Sequence, residues 1–80
     1  MHDEDLIREE ACGYLGREIT DAEWDEAYPQ AKRKLEWIIS REGDADGERL
    51  KPYYLGKLVE EAINQNAFSR YCEERSRLTA

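Results

Sequence analysis

The segment from Thr20 to Gly43 constrains the fold of this chain most tightly. Thr20-Asp21-Ala22-Glu23 has the pattern of a capping box, in which the threonine hydroxyl and the glutamate carboxylate each take an orphan backbone donor at a helix start. Behind it, Trp24, Ala27, Tyr28, Ala31, Leu35, Ile38 and Ile39 recur at spacings of three and four, the signature of one buried helix face. The stripe keeps its phase for four turns and stops before Gly43. Pro29 falls inside it, where proline deletes a helical hydrogen bond and crowds the preceding turn. Either the helix kinks at Pro29, or a short helix over 21–28 abuts a longer one that starts there. The unbroken phase favours the kink.

The flanking segments carry the same period. From about Asp3 to Leu15, the residues Leu6, Ile7, Ala11, Tyr14 and Leu15 mark one helical face. Acids in its first turn suit the helix dipole, and Gly16 is placed to end it. Gly43-Asp44-Ala45-Asp46-Gly47 is a loop by composition. Pro52 fits the first turn of a third helix, with Tyr54, Leu55, Leu58, Val59, Ala62 and Ile63 on its apolar face. Asn64-Gln65-Asn66 weakens the helix, and Asn66 is expected to cap a short fourth helix with Phe68, Tyr71 and Cys72 turned inward. No stretch alternates with period two. The expected fold is all-α: a single domain over 1–80, a small bundle of three main helices plus a short C-terminal helix.

Composition closes off several classes. Eighty residues bury a small core, so stability is expected to be marginal unless a staple or a partner adds to it. The charged fraction is 39%, and no run approaches the ~20 apolar residues that span a bilayer. The acidic start Met1-His2-Asp3-Glu4-Asp5 is unlike a secretory leader. Two tryptophans, five tyrosines and the regular aliphatic spacing argue against disorder. Cys12 and Cys72 are too few for a disulfide scaffold and read as reduced thiols of a cytoplasmic protein, most simply small core residues.

The net charge of −7 is unevenly placed. Residues 1–28 hold ten acids against Arg8 and Arg17, a net −8, while residues 29–80 are close to balanced at +1. Such a block repels nucleic acid and attracts basic protein surfaces. A merely solvated helix face would look the same.

No motif for chemistry stands out. Aligned from Glu42, the residues Asp44, Asp46 and Gly47 fall at positions three, five and six of a calcium loop, but position twelve is Tyr53 where a bidentate glutamate is needed. An ordinary Asp/Gly turn explains the loop better. His2, Cys12 and Cys72 are the only soft ligands, without the paired short spacings of structural zinc. An incidental site would need the first and fourth helices to pack so that the two cysteines meet. His2 is the sole histidine, and at residue two it is expected to be frayed and unsuited to activating a nucleophile. No glycine-rich phosphate loop exists. Lys32-Arg33-Lys34 is a compact basic patch, yet it is opposed by the acidic block, so direct nucleic-acid binding is not expected. Neither a cofactor nor an enzymatic activity is expected.

Trp37 fits the stripe least. At about 100° per residue, it points away from the sector of Trp24, Tyr28, Ala31, Leu35 and Ile38, among Gln30, Arg33, Lys34 and Arg41. Tyr53 is similarly out of phase with its helix. Two readings compete. Helix two could be central, with Trp37 sealing a second seam under the fourth helix. Alternatively, Trp37 is a contact anchor flanked by arginines.

In size and acidity, and in segments such as Leu15-Gly16-Arg17-Glu18-Ile19-Thr20 and Pro52-Tyr53-Tyr54-Leu55, the chain resembles small accessory proteins of bacterial phages and mobile elements, the anti-CRISPR proteins among them. That resemblance implies a cytoplasmic inhibitor in a bacterial host cell. Its partner would be a protein such as a CRISPR nuclease, whose channels for guide and target are basic. An acidic surface would occupy such a channel, and the candidate contacts are Glu9, Glu10, Glu18, Asp21, Asp25 and Glu26, with Trp37 as an apolar anchor. The alternative is a homodimeric structural or regulatory protein of a mobile element, its surplus aromatics lying in an isologous helical interface. Monomer and homodimer both remain open from the sequence.

Overall fold

A computed structural model describes residues 3–79. It contains α1 (Asp3–Leu15), α2 (Asp21–Glu42), a 3-10 turn (Glu48–Leu50) and α3 (Pro52–Thr79), with no strand among the described residues. The all-α expectation holds. No helix among these residues is long and apolar enough to cross a membrane.

The local signals act where the sequence places them. Gly16 takes a left-handed conformation, and its N–H bonds to the Cys12 carbonyl at 2.9 Å, which ends α1. At the start of α2 the Glu23 N–H donates to Thr20 Oγ1 (3.2 Å), and the Thr20 N–H donates to Glu23 Oε1 (3.1 Å), so the capping box is complete. α2 then runs as one helix through Pro29. Asp25 and Pro29 lie on its exposed side, where solvent can take the carbonyl that Pro29 leaves without a donor.

α2 and α3 form an antiparallel hairpin. Three cross-helix pairs mark the register: Lys34 with Glu61 at 3.5 Å, Gln30 with Asn66 at 2.9 Å, and Glu26 with Arg70. α1 packs on another side of α3, at Gly56. A Cβ built there would stand 2.8 Å from Glu10 Cβ, 3.1 Å from the Ile7 carbonyl oxygen and 3.2 Å from the Ala11 nitrogen. Only glycine allows the two backbones this approach. The core forms where the three helices converge: Ile7 and Ala11 of α1, Ile19, Ala27, Ala31 and Ile38 of α2 and its approach, and Leu55, Leu58, Val59 and Ile63 of α3. Val59 is fully enclosed.

Two expectations are corrected. The central helix is α3, against which both α1 and α2 pack, not helix two. The expected short fourth helix does not form as a separate element, because α3 continues unbroken to Thr79. Asparagine and glutamine cost a helix only about half a kcal/mol each or less relative to alanine, and 64–66 contains neither glycine nor proline. Asn66 does not cap. Its amide reaches across to Gln30 on α2, a tertiary contact that needs the helix to continue.

The last turns of α3 therefore project past the core. Phe68, Tyr71 and Leu78 are exposed there, as is Cys72, where inward positions were expected. The reason is a change of phase. Positions that extend the core-facing row of Leu55, Val59, Ala62 and Asn66 are Ser69, Glu73 and Arg77, which cannot be buried. The apolar residues after Asn66 stand on a different side of the helix.

Candidate functional site

The acidic surface begins with its two bases. Arg8 donates to the Ile19 carbonyl (2.6 Å) and to Asp21 Oδ1 (2.9 Å), and lies over the Trp24 ring at 5.7 Å. Arg17 holds Glu23 with both terminal nitrogens, at 2.9 and 2.7 Å. That fork, together with the Thr20 N–H, lowers the Glu23 carboxyl to about 2 and raises Arg17 above its ordinary value. Both arginines of residues 1–28 are thus spent tying the α1–α2 turn to the start of α2.

The six candidate carboxylates are all exposed, but they divide. Asp21 is paired with Arg8 and Glu26 with Arg70. Among the described residues, Glu9, Glu10, Glu18 and Asp25 have no ion-pair partner. Glu9 lies with Asp5 on the outward side of α1, one turn apart. Glu10 flanks the α1–α3 crossing, Glu18 sits in the turn, and Asp25 is on the exposed side of α2. These four unpaired carboxylates therefore face solvent.

Trp37 is 57% exposed. No fourth helix covers it, so its expected role in sealing a second seam is corrected. Arg41 stacks over its ring at 5.0 Å, and Ser40 Oγ donates to its carbonyl (2.8 Å). Tyr53, the other residue out of phase, donates its hydroxyl to Glu48. This pins the 3-10 turn to α3, lowering the Glu48 carboxyl and raising the tyrosine.

The metal candidates do not assemble. Cys12 packs against the core and Cys72 is exposed on the projecting part of α3, both as free thiols. The meeting of the two needed a helix folded back on α1. His2 lies outside the described residues. Among those described, no three His, Cys, Asp or Glu side chains converge on one point. In the 43–47 loop the Gly47 and Arg49 N–H groups bond to the Asp44 carbonyl (3.1 Å each), and Arg49 Nη1 bonds to the Gly43 carbonyl (2.6 Å). The loop is an internally bonded turn, with Ala45 and Asp46 left-handed. Of the basic patch, Lys34 pairs with Glu61 and Lys32 lies over the Tyr28 ring at 5.3 Å.

One feature was missed by sequence reasoning. A groove of about 630 Å³ runs between α2 and α3, with Ala31, Leu58 and Ala62 at its base and Lys34, Gln65 and Phe68 along its edges. Gln65 lies nine residues past Gly56, so the groove opens on the side of α3 away from α1. The signal was the phase change after Asn66, which places Phe68 and Cys72 on the groove side.

Comparison with protein families, with characterised proteins and with solved structures found no match to this chain.

Proposed function

We propose that this chain is a small acidic inhibitor of the anti-CRISPR type, which binds a basic nucleic-acid-binding surface of a protein partner and acts without catalysis. One observation carries the reading. The only two bases of the acidic region are consumed by internal contacts, which leaves Glu9, Glu10, Glu18 and Asp25 to act outward. Carboxylates on short rigid helices can stand in for phosphates in a basic channel. Opposite charge then speeds encounter and makes association salt-sensitive. Trp37 has the chemistry of a contact anchor, since hot spots concentrate in tryptophan and arginine and Arg41 stacks on it, but it stands about three turns along α2 from Asp25, so the carboxylates carry this reading without it.

The test is cleavage of a target duplex by RNA-guided nucleases with the chain added, across a salt series. Inhibition is expected to fade as salt rises. The variant Glu9→Lys, Glu18→Lys, Asp25→Lys breaks no internal ion pair and is expected to abolish inhibition while leaving helicity intact. Unchanged inhibition by that variant rules the reading out.

A further inference from the structure

The groove and the projecting part of α3 fit each other. Leu58, Glu61, Gln65, Phe68, Cys72 and Arg75 advance by alternating steps of three and four, which makes them one continuous face of α3. The first half of this row borders the groove. The second half stands on the free end of the helix, flanked by Tyr71, with Phe68 63% and Tyr71 54% exposed. From Phe68 to Thr79 the helix advances about 17 Å, and the groove-lining stretch from Leu58 to Phe68 measures about 15 Å.

We infer that two copies of this chain pair through this face, antiparallel about Phe68, each laying the free end of its α3 along the α2–α3 groove of the other. Three observations select a second copy as the occupant. The first is the match of length, which lets both copies fill both grooves by one two-fold rotation. The second is charge. Glu61 and Arg75 lie seven residues on either side of Phe68, so the antiparallel arrangement sets Glu61 of each copy, which also pairs with Lys34, against Arg75 of the other, which also lies over its own Tyr71. A parallel pairing would instead oppose like charges. Gln65 falls opposite Tyr71 in the same way. The third is where the net charge sits. The −8 block lies on α1, the turn and the first turns of α2, while 29–80 are nearly neutral; its member nearest the projecting part of α3, Glu26, is paired with Arg70, so self-association here does not press the unpaired acids together.

The face is about 32 Å long and one helix, ~10 Å, wide, a footprint of roughly 320 Å² per partner. This is below the roughly 800 Å² of a standard interface and fits a weak, concentration-dependent pair. Phe68 at the centre would be its most deeply buried residue.

This inference rests on a different surface from the acidic reading, and either can fail alone. The experiment is a mass measurement on the full chain by light scattering and sedimentation over a concentration series. The expected species has twice the 9.4 kDa mass. Phe68→Asp is expected to weaken association about 100-fold, the scale of a central aromatic contact, with unchanged far-UV circular dichroism because Phe68 lies outside the core. Glu61→Arg and Arg75→Glu are each expected to weaken it, and the double charge swap to restore it. That rescue is specific to the antiparallel register. A single 9.4 kDa species up to about 1 mM, a dimer indifferent to Phe68→Asp, or a charge swap without rescue would each overturn the inference. A folded monomer that binds a helical peptide in the groove would assign the groove to another protein, and would overturn it equally.

Discussion

Replacing Glu23 by alanine removes two interactions at once: the reciprocal half of the capping box and the two-point contact with Arg17. The cap is worth about 1 kcal/mol. A carboxyl held near 2 against an ordinary 4.5 corresponds by linkage to about 3 kcal/mol, but the pair lies at the surface, where solvent screening leaves about 1 kcal/mol or less. The expected loss for Glu23→Ala is about 1.5–2 kcal/mol, which for 80 residues lowers the thermal midpoint by about 10 °C. Glu23→Gln keeps an acceptor for the Thr20 N–H and loses only the charge, so it should fall roughly halfway. The sign with pH follows from the lowered folded value. The charged part is fully present above about pH 5 and is lost as pH falls from the ordinary carboxylate range towards 2. Urea and thermal unfolding of the three proteins, followed by far-UV circular dichroism at several pH values, reads both parts. The difference between wild type and Glu23→Gln should shrink as pH falls through about 2 and vanish below it. A difference that persists there would show that charge is not its source, and a loss of less than about 0.3 kcal/mol for Glu23→Ala would show that the capping box adds nothing to stability.

Two further substitutions follow from the packing. Gly56→Ala gains about 1 kcal/mol of helix propensity but drives a methyl group into Glu10 Cβ and the α1 backbone. A net loss of about 1 kcal/mol is expected, read from the urea midpoint, and a stabilised variant would contradict the close crossing. Trp37→Ala should leave the midpoint within about 0.5 kcal/mol, because its ring touches only Arg41 among the cation–ring contacts and is not covered by another helix; a larger loss would return it to the core.

The parts of the fold legible in the sequence were those fixed by local chemistry. Thr20 and Glu23 announce the start of α2, Gly16 and Gly43 end their helices, and Pro52 opens α3. Each acts through backbone groups within four residues of itself. Pro29 was legible too, because Trp24 to Ile39 keep one phase across it. What could not be read locally was set by contacts distant in sequence. Asn66 looks like a cap until Gln30, thirty-six residues away, claims its amide. Glu26 looks like a free acid until Arg70, forty-four residues on, neutralises it. The acidic block itself was legible from composition, and so was the displacement of Trp37 from the core stripe. Whether a neighbour would cover that ring depended on where the C-terminal residues went, and that followed from the phase change after Asn66.

The two surfaces nevertheless share an edge. Gln30, Lys34, Trp37 and Arg41 advance by steps of four, three and four along α2, so Trp37 belongs to the same row as the groove-lining Gln30 and Lys34. It stands beyond them towards the C-terminal end of α2, level with Leu58 and Val59 of α3 by the register of the cross-helix pairs, whereas the unpaired carboxylates lie on α1, the turn and the first turns of α2. A partner held by those carboxylates would have to reach around the molecule to use Trp37, whereas a helix lying in the groove would end beside it. The indole therefore has a stronger geometric claim in the groove than in the acidic surface. Mass measurements on Trp37→Ala separate the two. Weakened self-association with inhibition intact would place the ring with the groove; lost inhibition with unchanged mass would make it the anchor of an outside partner.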